Sequence, residues 1–436
     1  VVIDNADPIN ESGLFGATAI TGYSSEGNVD ITNQPGADLY AGTVYGNAIG
    51  IYAYSALGDA GVHNDGDVTA ISYYGLADGI FASGSDVEVA NSGAIETYGY
   101  TWTAGIEAEG ANSTSVVNSG DISVNTSGFY SASHYSYTYT YDYSTGEYSK
   151  GYTDEVTAYS RGGDAIGIYA TGGEGGVSVD NSGDITMDGG YSITGIQVAS
   201  GGDVMIVNSG DIVGGSAGAT YNKYTDSNYD PDTQVYTSTR DKYYTAYGTQ
   251  LATGISATST GAGAMIGIDN SGTIAVLGYY GATGITASAT GEGGSVLVDN
   301  SGAIYAIEYG GALGAYGIVA YANGDASVIN TAFVGAQSGT GTAHGISALS
   351  FAGDASVYNG GDVYAIGSDA AYGLEAAAQY GDAGVANAGL VVTSAGYSVG
   401  ASLNARHDAV ALNVDQIYAY GDNAFGVKAT AGDDIY

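Results

Sequence analysis

A nine-residue motif that recurs along the whole chain constrains this sequence more than any other feature. It reads V-S-V-D-N-S-G-D-I at 177–185 and V-L-V-D-N-S-G-A-I at 296–304. Most steps between successive copies of its asparagine are 26 to 31 residues long, and two steps are roughly twice that. The thirteen copies are Asn5, Asn33, Asn64, Asn91, Asn118, Asn181, Asn208, Asn270, Asn300, Asn330, Asn359, Asn387 and Asn413. A repeat of this length predicts a stack of similar units, none of which can bury its own core alone.

Within one repeat, the alternation of side chains predicts three short strands. Val177, Val179 and Asn181 share one parity, which indicates a strand with one buried face. A second strand begins at Ile185, and a second signature, G-I-x-A, marks a third strand, as in G-I-Q-V at 195–198. Glycines separate the strands. The whole chain, 1–436, is therefore predicted to be one all-β, right-handed parallel β-solenoid of about 13 coils, roughly 60 Å long.

The recurring asparagine lies where the first strand of each coil turns. Identical amides stacked one strand spacing apart can form a hydrogen-bonded ladder along the axis. Asparagine is also a good turn former, which is the simpler interpretation. The sequence favours a buried structural ladder built from Asn33, Asn64, Asn91, Asn118, Asn181, Asn208, Asn270, Asn300, Asn330, Asn359 and Asn387.

Composition and charge exclude several classes of protein. The chain has 46 acidic and 7 basic residues, a net charge of −39, which repels nucleic acid and anionic membranes. It has no cysteine, and therefore neither disulfides nor thiolate metal sites. No apolar span of 18 residues predicts membrane insertion of this segment. The chain starts inside a strand and ends part-way through a coil, as expected of a piece excised from a longer precursor or polymer.

Two tyrosine-rich inserts account for the doubled steps, at 129–163 and 216–250. They match each other at an offset of 88 residues and interrupt the same corner of a coil. Alternating Tyr and Thr on either side of a turn-forming stretch predicts a β-hairpin in each insert. The inserts hold five of the seven basic residues and 16 of the 41 tyrosines, so we expect them to be contact elements. The contact residues are predicted to be Tyr141, Tyr148, Lys150, Arg161, Lys223, Tyr229, Tyr236, Arg240 and Lys242.

The same corner of the ordinary coils is also rich in tyrosine, which predicts a stripe along the rod. Aromatic faces bind sugars and proteins at low entropic cost, whereas stacked rings can also stabilise neighbouring coils without a partner. The sequence leaves both interpretations open. The stripe comprises Tyr73, Tyr74, Tyr98, Tyr100, Tyr191, Tyr279, Tyr280, Tyr309, Tyr372 and Tyr397, and Trp102, the only tryptophan, is expected to extend it.

Acidic residues recur at the third corner of the coil, and four of them fall in consecutive coils. These are Asp325, Asp354, Asp382 and Asp408. Like charges one strand spacing apart repel each other, and a divalent cation can bridge them. Ca²⁺ is therefore the one candidate cofactor. The simpler interpretation is a solvated acidic edge.

No motif predicts catalysis. Asp184 and Asp211 lie in adjacent coils and could pair as the carboxylates of a glycosidase, but both follow a turn and are better explained as turn residues. The sequence contains no nucleophile motif, phosphate loop or cofactor fingerprint. We expect a protein that is not an enzyme.

The tandem V-x-V-x-N-S-G-D-I and G-I-x-A signatures resemble the passenger repeats of bacterial autotransporter and haemagglutinin-like surface adhesins. The resemblance covers essentially the whole chain and implies a secreted, right-handed β-helix exposed outside the cell. The tyrosine-rich inserts are not part of that pattern.

Three functional hypotheses follow from these observations. The first is an extracellular structural or adhesive rod at the cell surface, whose partners are other copies bound laterally or end to end through the hairpins and open coil ends. The second is an adhesin that binds glycans, or a host or neighbouring cell, through the tyrosine stripe. A polysaccharide-cleaving β-helix enzyme is the least favoured.

Overall fold

The computed structural model describes residues 1–126, 130–142, 147–160, 163–230, 235–311 and 313–436; between 130 and 160 and between 217 and 248 it describes the backbone alone. The described residues form thirteen coils, which are numbered here by the recurring asparagines in chain order. Each coil contributes one strand to each of three faces, called A, B and C. On each of the three faces, the strands of successive coils pair in parallel, which confirms the predicted β-solenoid; its right-handed winding stays a prediction. Within the described ranges no helix is long and apolar enough to cross a membrane.

Face A contains the strands that end at the recurring asparagine: β1 (Val2–Asn5), β4 (Val29–Asn33), β7 (Ala60–Asn64), the ends of β9 (Ala77–Asn91) and β11 (Trp102–Asn118), β16 (Gly176–Asn181), β19 (Val204–Asn208), β24 (Met265–Asn270), β27 (Ser295–Asn300), β30 (Ala326–Asn330), β33 (Ala355–Asn359), β36 (Ala383–Asn387) and β39 (Ala409–Asn413). Face B contains β2 (Ile9–Gly13), β5 (Leu39–Thr43), β8 (Val68–Ser72), β10 (Ile95–Gly99), β12 (Ile122–Thr126), β17 (Ile185–Asp188), β20 (Ile212–Gly214), β25 (Ile274–Gly278), β28 (Ile304–Glu308), β31 (Val334–Ser338), β34 (Val363–Ile366), β37 (Val391–Ser394) and β40 (Ile417–Tyr420). Face C contains β3 (Gly16–Ser24), β6 (Asn47–Ser55), the beginnings of β9 and β11, β15 (Asp164–Gly172), β18 (Ser192–Ser200), β23 (Leu251–Ser259), β26 (Gly281–Ala289), β29 (Gly314–Ala322), β32 (Ala343–Ser350), β35 (Ala370–Ala378), β38 (Tyr397–Ala405) and β41 (Asn423–Thr430).

The asparagine amides form an unbroken ladder through the stack. The Nδ2 of each asparagine from Asn5 to Asn387 donates to the Oδ1 of its equivalent in the next coil, at 2.7–2.8 Å. The second amide hydrogen goes to a backbone carbonyl of the turn, as from Asn208 to Gly210 at 2.8 Å. The asparagines from Asn33 to Asn387 are buried. Each buried amide therefore has partners for both its donors and its oxygen, which removes the cost of burying it.

The glycine of G-I-x-A lets faces B and C approach each other inside the coil. At Gly284 an added Cβ would lie 2.4 Å from the Cγ2 of Ile304 on face B and 2.5 Å from the carbonyl oxygen of Gly317 in the next coil. The isoleucine that follows each such glycine is also buried, as Ile80 and Ile106 are. Two successive residues therefore point inward, and the face-C strands that contain this buried pair bend at the glycine.

Each predicted insert forms a β-hairpin, and the two hairpins join. The hairpins are β13 (Tyr130–Asp142) with β14 (Glu147–Ser160) and β21 (Ala217–Asp230) with β22 (Val235–Gly248). They leave the same corner, between faces B and C, in coils 5 and 7. The sequence did not predict that β13 pairs with β22, which makes one antiparallel insert sheet in the order β14-β13-β22-β21.

The second insert is shorter than predicted. Thr249 and Gln250, assigned to it from the sequence, are buried in the corner of the solenoid. Their backbone carbonyls accept hydrogen bonds from Tyr279 and Tyr280 of the next coil, at 2.9 and 2.8 Å, so they belong to the stack.

Replacing Gly284 with alanine is expected to lower the free energy of unfolding by about 2 kcal/mol, because the new methyl group overpacks the lumen between two coils that cannot separate. Gly384→Ala is the matched control, since an added Cβ there meets nothing within 4 Å. Urea unfolding, monitored by far-ultraviolet circular dichroism, measures the free energy of unfolding of both variants. Equal midpoints for the two variants would contradict the proposed close approach.

Asn208→Ala is expected to cost roughly 2–4 kcal/mol, because it leaves the Asn181 amide and the Asn270 oxygen without partners inside the stack. The control is Asn404→Ala, which removes an exposed amide from a face-C strand. Thermal and urea unfolding of both variants test this. A ladder that contributes nothing would give the same transition in the two proteins.

Candidate functional site

The bend at each G-I-x-A glycine creates a groove along the outside of face C. Side chains from the residue before the glycine and from position x lie on either side of the bend, in two axial columns. The pre-glycine column runs Ile49, Asp78, Ala104, Ile166, Thr194, Thr253, Thr283, Tyr316, His344, Tyr372, Val399, Phe425. The x column runs Tyr52, Phe81, Glu107, Tyr169, Gln197, Ser256, Thr286, Val319, Ser347, Glu375, Ser402, Lys428. We call this feature the face-C groove.

In coils 2 to 5 the groove widens into an open cleft of about 390 Å³ that combines carboxylates with aromatic rings. It is lined by Asn47, Ile49, Tyr52, Leu76, Asp78, Phe81, Trp102, Glu107, Glu109 and Tyr169. Phe81 and Tyr169 flank Glu107 in the x column, one coil to either side. The ring of Tyr169 meets that of Trp102 edge-on at 5.7 Å. We call this feature the acidic cleft.

Trp102 reaches along its own strand to Glu107. The indole Nε1 donates to Glu107 Oε2 at 3.1 Å across five residues of β11. Burial raises the pKa of the Glu107 carboxyl to about 7; the charge of Glu109 adds to this rise and the indole hydrogen bond opposes it. Glu107 therefore exchanges a proton close to neutral pH.

Asp78 is the most deeply buried carboxyl group of the cleft. It is only 3% exposed, and its Oδ1 has no hydrogen-bond partner. Burial raises its pKa well above the ordinary value, and the charges of Glu107 and Glu109 raise it further, against a backbone hydrogen bond from Ala104. A buried acceptor without a partner is uncommon in a folded protein.

In coils 9 to 11 the same groove holds a basic side chain of its own. The His344 ring lies between those of Tyr316 and Tyr372, stacked at 5.0 and 4.8 Å. Its Nδ1 is 3.3 Å from Glu375 Oε2, which also accepts a hydrogen bond from Ser347 at 3.1 Å. Burial would raise the pKa of Glu375, but these partners lower it overall, the opposite of Glu107.

The tyrosines of the predicted stripe form several separate ring contacts. Tyr73 contacts Tyr98 and Tyr74 contacts Tyr100 at the corner between faces B and C, both at 6.2 Å. At the same corner of coils 8 and 9, Tyr279 contacts Tyr280 and Tyr309 at 5.0 and 5.5 Å. Tyr191 also lies at this corner, where its backbone N–H donates to Gly163.

Two members of the predicted stripe, Tyr372 and Tyr397, lie instead on face C, in contact with each other at 6.0 Å. Trp102 is likewise on face C, in the acidic cleft. Rings stacked face to face along the axis, such as Tyr45 on Tyr74, cover one another and stabilise neighbouring coils. Internal stacking therefore accounts for part of the aromatic surface.

The four aspartates predicted as Ca²⁺ ligands lie above one another at the corner between faces C and A. The Oδ1 atoms of Asp325, Asp354, Asp382 and Asp408 each accept the backbone N–H of the equivalent residue in the following coil, at 2.9–3.1 Å. The carboxylates thus help to align the coils. In the part of the chain that the structure describes, no three potential ligands are grouped closely enough to hold a metal ion, and Ca²⁺ binding stays a prediction.

Asp184 and Asp211 accept equivalent backbone hydrogen bonds at the corner between faces A and B. The backbone N–H of Asp211 donates to the Oδ1 of Asp184 at 2.9 Å, and that of Thr273 donates to the Oδ1 of Asp211 at 2.8 Å. A cleft of about 520 Å³ on face B includes Asp184. This cleft is larger than the acidic cleft, but it is a weaker candidate because its aspartates already have backbone partners.

The predicted contact residues of the hairpins can be placed only by register. Tyr148, Tyr141, Tyr236 and Tyr229 form one row across the four strands of the insert sheet. Lys150 is on β14, Lys223 on β21, and Arg240 and Lys242 on β22. Their side chains, and Arg161 altogether, lie outside the described residues.

The sequence reading missed Asp78, Glu107 and Glu109. The signature G-I-E-A at 105–108 predicts a strand but does not by itself mark Glu107 as functional. The signal for Glu107 is the alignment of the repeats on the glycine, which places it between Phe81 and Tyr169. No comparable sequence pattern indicates the bend that turns the two columns toward each other.

No protein-family model, no curated protein and no solved structure matches this chain.

Because the pKa of Glu107 is about 7 in the folded protein and near 4.5 ordinarily, folding favours its protonated form. The free energy of unfolding should therefore fall as the pH rises from about 4.5 to about 7 and stay lower above that. Asp78 on β9, Glu109 on β11 and Tyr52 and Tyr169 on the neighbouring strands are the other titratable groups of the cleft.

Glu107→Gln is expected to raise the free energy of unfolding at pH 8 by on the order of 2 kcal/mol and to change it little at pH 4. Trp102 fluorescence, which comes from the only tryptophan, should titrate near pH 7 in the parent protein and lose that transition in Glu107→Gln. Glu375→Gln is the control and should retain it. A transition that survives in Glu107→Gln would assign the titration to another group.

Proposed function

We propose that the chain is a non-catalytic extracellular rod, displayed at a cell surface, whose copies associate laterally through the insert sheet. The solenoid is a rigid spacer, and the insert sheet projects from one of its corners. The resemblance of the repeat signatures to autotransporter and haemagglutinin-like adhesin passengers supports the extracellular location. End-to-end association of coils stays a prediction.

The observation that carries the proposal is the insert sheet's two outer strands. Among the described residues, β14 and β21 each pair with only one strand of the sheet. Such edges offer a row of backbone donors and acceptors to a further strand, and proteins use them for strand addition. The same edge on a second copy supplies an antiparallel partner related by a two-fold axis.

Charge favours contact between copies at the inserts rather than along the coils. The ranges 129–163 and 216–250 contain eight acidic and five basic residues, a net charge of −3, whereas the remainder of the chain carries −36. Two solenoid walls of that charge repel each other. The insert sheet is the part of the surface where two copies meet with little repulsion.

Removing residues 129–162 and 217–248 together is expected to abolish lateral association while leaving the solenoid folded. The two ends left by the second deletion already lie close together, because the Thr249 backbone N–H donates to the Ser216 carbonyl at 3.3 Å. Sedimentation velocity and negative-stain microscopy of the parent and the double deletion compare their assembly, and circular dichroism checks the fold.

Deleting one insert at a time provides the intermediate cases, since a single hairpin still has two outer edges but lacks the β13–β22 pairing. We expect weakened association for each single deletion. Assemblies of the same size in the double deletion and the parent, or a monomeric parent at all salt concentrations, would overturn the proposal.

A further inference from the structure

The acidic cleft concentrates negative charge without a compensating cation. Three carboxyl groups line it, those of Asp78, Glu107 and Glu109, and none of the described residues in its wall is basic. Two of these groups are protonated more readily than ordinary carboxylates because burial and mutual repulsion disfavour their charge. A bound positive group would offset the mutual repulsion and favour the charged forms of these groups.

An unpartnered acceptor marks where such a group would donate. Asp78 is nine-tenths or more buried, lines the cleft, and has no partner for its Oδ1. A buried polar atom without a partner costs free energy that a ligand donor can recover. The site therefore calls for a hydrogen-bond donor.

The remainder of the cleft wall is aromatic. Tyr52 and Phe81 stack at 5.1 Å on one side, and Trp102 and Tyr169 meet edge-on at 5.7 Å on the other. Aromatic faces attract cations through their quadrupole, most strongly when water is excluded. Carboxylates together with ring faces favour an organic cation over a bare metal ion, which would need several oxygen ligands at once.

Elsewhere in the face-C groove, the chain supplies basic side chains of its own. His344 lies between two tyrosine rings beside Glu375, as described above. In coil 13 the Lys428 ammonium lies 5.6 Å from the Tyr397 ring centre and 5.7 Å from that of Phe425, and donates to the Tyr397 hydroxyl at 2.9 Å. The groove thus places a basic side chain against aromatic rings at two heights, whereas none of the described residues that line the acidic cleft is basic.

We propose that the acidic cleft binds an organic cation, an ammonium group carried by a small amine or by a lysine side chain of another protein. The ammonium donates to Asp78 Oδ1 and lies close to Glu107, while its carbon substituents pack on Trp102, Tyr169 and Tyr52. A volume of about 390 Å³ accommodates a head group of this size. This site is separate from the insert sheet and does not depend on lateral association.

The test compares butylammonium with its neutral isostere 1-butanol, using Trp102 fluorescence and isothermal titration calorimetry at pH 8. Butylammonium should give a saturable response, and 1-butanol should bind at least tenfold more weakly. Affinity for butylammonium should fall at least tenfold at pH 5.5, where Glu107 is protonated. Equal binding of butylammonium and 1-butanol, or a response only to Ca²⁺ or to a neutral disaccharide, overturns the proposal.

Variants assign the response to the cleft. Glu107→Gln and Asp78→Asn should each weaken butylammonium binding at least tenfold with unchanged circular dichroism, and Glu375→Gln should leave it unaltered. Unchanged binding in Glu107→Gln overturns the site assignment. If Asp78→Asn does not fold, the pH dependence of the parent protein decides the question.

A final comparison distinguishes the two sources of the ammonium group. N-acetyl-lysine-N-methylamide and its Nε-acetylated form present a lysine side chain with and without charge. Tighter binding of the charged lysine compound than of butylammonium indicates a protein partner, whereas weaker binding indicates a free amine. Equal affinity of the two lysine compounds contradicts a cation site.

Discussion

Axial hydrogen bonding between equivalent positions of successive coils is the constraint on which the rest of this structure depends. The backbone ladders of the three faces supply most of it, and side chains repeat the same pattern at the corners. The amide of Asn208 bonds to that of Asn270, and the carboxylate of Asp354 accepts the backbone N–H of Asp382. Because each of these contacts joins a residue to its own equivalent, every coil must be in register with the next.

The sequence predicts the architecture because the same motif recurs thirteen times. The alternation around Val177 and Val179 predicts the strands, and the spacing of the asparagines predicts the stacked coils. The inserts were recognised because they break that spacing. The pairing of β13 with β22 was not recognised, because it depends on two hairpins meeting in space, and hairpin patterns describe only contacts within each one. Thr249 and Gln250 were misassigned because their burial arises from the neighbouring coil.

The acidic cleft was less accessible to sequence reasoning than the fold. Acidic residues recur at the corners of the coils, whereas those on the face-C strands do not repeat from coil to coil, so the repeat pattern does not mark them. Asp78 and Glu107 are separated by 29 residues and come together only because the face-C strand bends at its glycine. Their unusual protonation follows from burial, a property of the packed groove rather than of either residue. Trp102 was noticed, but a single residue gave no indication of its partner, Glu107.

The fixed register also makes the rod a molecular ruler. Each coil adds about 4.8 Å to the length of the rod. Moving a groove residue by one repeat therefore shifts its side chain by about 4.8 Å along the axis without disturbing the core. Asp78 and His344 occupy the same column seven coils apart, a separation of roughly 34 Å by that spacing. A molecule that lies along the groove would meet a carboxyl group at one height and an imidazole at the other, so only a molecule whose polar groups are separated by about that distance would contact both.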